Sequence, residues 1–145
     1  QQTAELRRQV SAAGSELGEI GTRLRHMRAT LASTPKADPA LFGRIDSVSA
    51  SVADLSRRLF GDPARQRLNQ SDAPSIAGRV GSAMANWETR QMPTATQRRD
   101  LEIATSEFAA LSRDLKALVE GDLARLEAAL TAAGAPWTPG RGVKP

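Results

Sequence analysis

Residues 4–32 read AELRRQVSAAGSELGEIGTRLRHMRATLA, and the spacing of their apolar side chains decides the fold class. Leu6, Val10, Ala13, Leu17, Ile20, Leu24, Met27 and Leu31 follow one another at intervals of 4, 3, 4, 3, 4, 3 and 4. An α-helix, at about 3.6 residues per turn, gathers such a series into one stripe, and the stripe is buried only when another helix packs against it. Polar residues fill the rest of the segment, which would be about 44 Å long at 1.5 Å per residue. Gly14, Gly18 and Gly21 lie inside it, each costing up to about 1 kcal/mol against alanine. Either a second helix or a partner comes close along that edge, or the helix is long enough to tolerate them.

The same period returns three times. After the break STPKADP at 33–39, Asp38 is placed as an N-cap with Pro39 at the first helical position, where a missing N–H costs nothing. Leu41, Ile45, Val48, Val52, Leu55 and Leu59 then form a second seam, with Asp54 four residues before Arg58 as a surface ion pair. Gly61-Asp62-Pro63 stops this helix. A third, shorter seam runs Ile76, Val80, Ala83, Trp87 and ends at Met92-Pro93. Thr94-Ala95-Thr96-Gln97 is a capping box for a fourth helix reaching about Ala133, terminated by Gly134 and Pro136. Its seam reads Leu101, Ala104, Phe108, Leu111, Leu115, Val119, Leu123, Leu126, Leu130. The successive steps of four after Leu111 are a stutter that locally unwinds a supercoil, and Gly121 makes a bend there plausible on steric grounds.

These segments predict an all-α chain: an antiparallel four-helix bundle or coiled coil with a long C-terminal helix. The expected organisation is a single helical domain over 1–145, with a hairpin at 4–60, a polar connection at 61–74, a second hairpin at 75–133 and a tail at 134–145. Aromatic residues make up only 3% of the chain, which suits a helical core of small aliphatic side chains better than a β-sandwich. With 145 residues the chain is long enough to bury a core of its own.

Chemistry is hard to place on these residues. No cysteine is present, so disulfides, thiolate metal sites and cysteine nucleophiles are excluded. The single histidine, His26, lies on the polar side of the first helix between Arg25 and Arg28, with no histidine or carboxylate one turn away to share a metal. The carboxylates flank the seams as surface charge, and Asp122, near the expected bend, would need Arg125 or another arginine if buried. The glycines of GSELGEIG lack the Gly-Lys-Ser/Thr of a phosphate loop. No catalytic residue, cofactor site or metal site is therefore expected, and the chain reads as a non-enzyme.

The formal charge of +4 comes mainly from arginine. Arg57, Arg58, Arg65, Arg67 and Arg79 gather around GDPARQRLNQSDAP, the longest polar connection, and could meet an acidic protein face or an anionic membrane surface. Aromatic interleaving of the sort that stacks single-stranded bases is missing, so nucleic acid is not an expected partner. No apolar run approaches the roughly 20 residues of a membrane span, and no secretory signal opens the chain, as would also hold for a processed protein or a fragment. In the tail, Trp137 either packs on its own helices or anchors a partner, and Arg141 joins the candidate contact residues.

From residue 62 onward the strings DPARQRLNQSDAPSIAGRVG, TATQRRDLEIATSEFAALSRDLKALVEGDLARLEAAL and AGAPWTPGR resemble the C-terminal helical region of large bacterial sortilin-like proteins with BNR/YVTN repeats. Those proteins carry β-propellers and are often labelled glycosyl hydrolase-like. The resemblance implies a periplasmic or secreted setting. Any glycosidase activity would belong to propellers, which these residues do not contain. Two functions remain open. One is a non-catalytic scaffold or interaction module, docking as a structural subunit on a larger extracytoplasmic protein or membrane-associated complex. The other is an accessory C-terminal domain of a glycan-active propeller protein. Self-association along the glycine edge of the first helix is a further possibility.

Overall fold

The computed structural model describes residues 2–85, 92–136 and 138–139, and all regular structure among them is helical, without a strand. Among the described residues six α-helices occur in the order α1 (Gln2–Ala32), α2 (Ala40–Phe60), α3 (Pro63–Arg67), α4 (Ile76–Met84), α5 (Ala95–Ala117) and α6 (Ala124–Ala132). A π-helical turn, Leu118–Leu123, joins α5 to α6 without leaving helical geometry on either side.

Helix ends follow the local chemistry of the sequence. Asp38 accepts a hydrogen bond from the Ala40 N–H at 2.9 Å and caps α2. That helix ends at Gly61, whose N–H still bonds the Arg57 carbonyl at 2.7 Å and whose left-handed φ of 88° then turns the chain out of the helix. The Thr94–Gln97 box is reciprocal: the Gln97 side chain accepts from the Thr94 N–H, and the Thr94 hydroxyl oxygen accepts from the Gln97 N–H. Gly134, at φ 74°, closes α6 with paired bonds from its own N–H to Thr131 and from the Ala135 N–H to Leu130.

The connection at 61–74 is not plain loop. Asp62 accepts from the Ala64 N–H at 2.8 Å, Pro63 takes the first helical position, and α3 follows. Asn69, left-handed at φ 51°, ends it in the same way a glycine would. The pair Asp62-Pro63 repeats Asp38-Pro39, so it starts a helix as well as stopping the one before. At the other end of the second hairpin, α4 ends at Met84 rather than running to Met92-Pro93. Trp87, expected as its last seam residue, lies outside the described residues.

Two compact units divide the chain: Gln1–Ser15 with Asp54–Asp114, and Glu16–Ala53 with Leu115–Pro145. In the first, the interior is built from Leu6, Val10 and Ala13 of α1, Val80 of α4 and Ala104 and Leu111 of α5, with Leu55 and Leu59 of α2. Gly14 lets the end of α2 come close there, because a Cβ at that position would stand 2.5 Å from the Phe60 ring. Gly18 has nothing within 4 Å of such a Cβ, and Gly21 only the Arg25 guanidinium at 4.0 Å. Close approach thus explains one of the three glycines. Leu101 is half-buried, while Gln97, one turn earlier, is buried with its amide shared between the cap and the Ser82 carbonyl.

In the second unit Ile20, Met27, Leu31, Ile45, Leu123, Leu126 and Leu130 are each almost completely buried. Full burial of one such side chain contributes about 1.5–3 kcal/mol of transfer free energy. Arg23 of α1 is ion-paired to Glu127 of α6, both side chains about a quarter exposed. Arg28 reaches Asp46 across the α1–α2 hairpin and lies 5.5 Å over the Phe42 ring. One expected seam residue is replaced in this unit: Leu118 is buried and Val119 only half-buried, because the extra residue of the π turn rotates the chain between Leu118 and Leu123. Asp122 is exposed and bonded to Arg125 at 2.5 Å.

Candidate interaction surface

All five arginines singled out around the connection belong to the first unit, and three of them converge. Arg57 and Arg58, in the last turn of α2, and Arg65 of α3 line a groove of about 490 Å³ with Asp72, Ser75 and Glu107. Their positions follow from the local fold. A helix end places the two α2 arginines on its rim, and the Asp62 cap turns α3 back so that Arg65 faces them.

Charge in this groove is largely balanced. Arg58 donates to Asp114 at 2.7 Å. Arg57 stands 3.9 Å from Asp54, three residues before it, so the expected Asp54–Arg58 pair is not formed. The physical reason is reach across the unit: Asp114 of α5 draws Arg58 away from its own helix. Arg65 lies 4.0 Å from Asp72 and 3.5 Å from the Ser71 carbonyl, outside strong hydrogen-bond geometry in both cases. Arg57 and Arg65 therefore retain most of their donor capacity.

Arg67 and Arg79 are used differently. Arg67 folds back on the Pro63 carbonyl of its own helix at 3.2 Å. Arg79 is one-fifth exposed and locks α4 to α5, donating to Asp100 at 3.0 Å and lying 3.8 Å from Glu107. The other Asp100 oxygen accepts from Ser82 at 3.0 Å. Arg79 thus works inside the unit. Trp137 and Arg141 lie outside the described residues.

A second groove, of about 560 Å³, is mainly apolar and was not anticipated from the sequence. Val10, Phe60, Val80 and Met84 line it, and Arg7 stands at its edge. Phe60 is 47% exposed. Its signal was available: Leu59 takes the seam, so an apolar residue next to it points about 100° away from the core. Leu68 at 67% and Met92 at 85% are the other large apolar side chains exposed among the described residues, and both belong to this unit.

No set of three His, Cys, Asp or Glu residues that could hold a metal ion occurs among the described residues. None of the described helices is long and apolar enough to cross a membrane. The Arg8 guanidinium, hydrogen-bonded to Glu5 at 2.5 Å, holds the Glu5 carboxyl below the usual value. Comparisons with protein-family models, with curated proteins and with solved structures find no match to this chain.

Proposed function

We propose that this chain is a non-catalytic helical interaction module, arranged as an antiparallel bundle or coiled coil, that docks as a structural subunit on a larger protein. The observation that carries this reading is the exposure of Phe60, Leu68 and Met92, all in one unit. Large apolar side chains left in water are favourable contact points for a protein partner, and aromatic and methionine side chains are enriched in such contacts. The loosely held Arg57 and Arg65, in the same unit, supply polar donors for an acidic partner face. The periplasmic or secreted setting, and the alternative of an accessory domain of a glycan-active propeller protein, rest on the resemblance of the strings from residue 62 onward. An anionic membrane surface is the competing target for the same arginines.

Site-specific photo-crosslinking tests this in cells of the source organism. A photoreactive side chain at position 60, 68 or 92 is expected to capture one protein band, and the same group at position 44 or 120 none. Equal capture from all five positions, or none from any, would remove the basis for docking through the first unit. Binding of the pure chain to anionic vesicles, abolished by Arg57→Gln with Arg65→Gln, would favour the membrane surface instead.

A further inference from the structure

The buried apolar residues of the last helical stretch are Ala104, Phe108, Leu111, Leu115, Leu118, Leu123, Leu126 and Leu130. Their spacing is 4, 3, 4, 3, 5, 3, 4. In α1 the buried series from Leu6 to Leu31 runs 4, 3, 4, 3, 4, 3, 4. The two differ by one residue, and the single long step spans the π turn Leu118–Leu123. A π turn closes i→i+5 hydrogen bonds instead of i→i+4, so it takes up an extra residue within one turn of helix.

Neither purely α-helical register would serve both ends of this stretch. Continued forward from Leu115 and Leu118, the seam would bring Asp122, Arg125 and Ala129 inward. Asp122 and Arg125 are now an exposed ion pair, with side chains 57% and 68% accessible. Continued backward from Leu126 and Leu123, it would bring Val119, Lys116 and Ser112 inward, and all but Val119 are exposed. Either choice would put charge where leucine now sits. The π turn resolves the conflict at the cost of rare backbone geometry around Gly121, the residue with the most freedom to leave it.

We infer that the π turn is a one-residue insertion in an otherwise uninterrupted heptad, and that it acts as a conformational joint, opening before the helix on either side. Removing any one residue between Leu118 and Leu123 restores the 4, 3 alternation through all eight buried positions. The joint is therefore removable without loss of fold.

Four variants of the full chain test this. Deletion of Gly121 and deletion of Glu120 both restore the heptad, and the second keeps the glycine. Gly121→Ala changes helix propensity without changing register. Deletion of Ala109 shifts an intact part of the seam. Expected results are unchanged helical circular dichroism and an undiminished Tm for deletion of Glu120. Deletion of Gly121 should raise Tm by more than Gly121→Ala does, by at least about 2 °C. Deletion of Ala109 should lower it. In the parent chain, amide exchange across 119–124 should outpace that of 110–116 and 125–130, and in both deletions at 120 and 121 this difference should vanish. Loss of helix or a lower Tm in those two deletions would overturn the insertion; uniform exchange in the parent would overturn the joint.

Discussion

The two units carry nearly equal charge: eleven basic against nine acidic residues in the first and nine against seven in the second. Their surfaces nevertheless differ. Every large apolar side chain exposed among the described residues lies in the first unit, together with both grooves, while the second unit hides its leucines and is interrupted between α1 and α2 and by one π turn. Net charge therefore does not distinguish a contact surface here. What distinguishes it is interruption: among the described residues the first unit breaks its helices three times between α2 and α5, and the exposed Phe60, Leu68 and Met92 lie at or next to those breaks.

The largest test of this contrast is in the two interiors. Leu111→Ala in the first unit and Leu126→Ala in the second remove side chains with 0% and 1% exposure. Each should cost about 2–5 kcal/mol in urea unfolding. A loss below about 1 kcal/mol at either position would mean that its unit is not packed as described.

Next come the sheltered ion pairs. Arg79→Met and Glu127→Gln each leave a partly buried charge without its counter-ion, and a destabilisation of about 1–3 kcal/mol is expected for each. Restoring charge balance with Arg79→Met plus Asp100→Asn should recover part of the loss in a double-mutant cycle; strict additivity would show that the two side chains do not interact.

The glycines of α1 separate the units more finely. Gly18→Ala should stabilise by up to about 1 kcal/mol, since the new methyl meets nothing. Gly14→Ala should gain less, because the Phe60 ring must move aside, and adding Phe60→Ala should release the withheld part. Equal thermal shifts for the two single variants would contradict the close approach at Gly14.

Smaller still are the surface changes. Leu68→Ser and Met92→Ser should alter unfolding free energy by no more than about 0.5 kcal/mol while reducing crosslinking to a partner. Glu5 gives the least. Its lowered pKa means that its contribution is present above the ordinary carboxylate range and is lost as pH falls through the lowered value. Because the group is fully exposed, Glu5→Gln should leave Tm at pH 7 almost unmoved.

Much of the architecture was legible because helices announce themselves locally. The α1 seam is buried at all eight positions expected of it, Asp38 and Thr94 start helices through their capping hydrogen bonds, and Gly134 ends one. The reading slipped where one local signal served two purposes, as with Asp62-Pro63. It slipped again where a choice between adjacent apolar residues, Leu118 and Val119, depended on backbone geometry that periodicity alone does not specify. The arginines around the connection were visible as a group, but not their division of labour. Arg79 became an internal tie and Arg58 turned to Asp114 because α4 and α5 brought carboxylates within reach.

The sequence by itself determined an all-helical chain, its main seams and most of its caps, since each depends on contacts within a few residues. Tertiary structure alone decided which arginines are neutralised, that Phe60 edges an apolar groove, and that one extra residue near Gly121 is absorbed as a π turn. Those outcomes depend on groups distant in sequence, or on competition between two otherwise acceptable registers, and a local pattern carries no energy term for either.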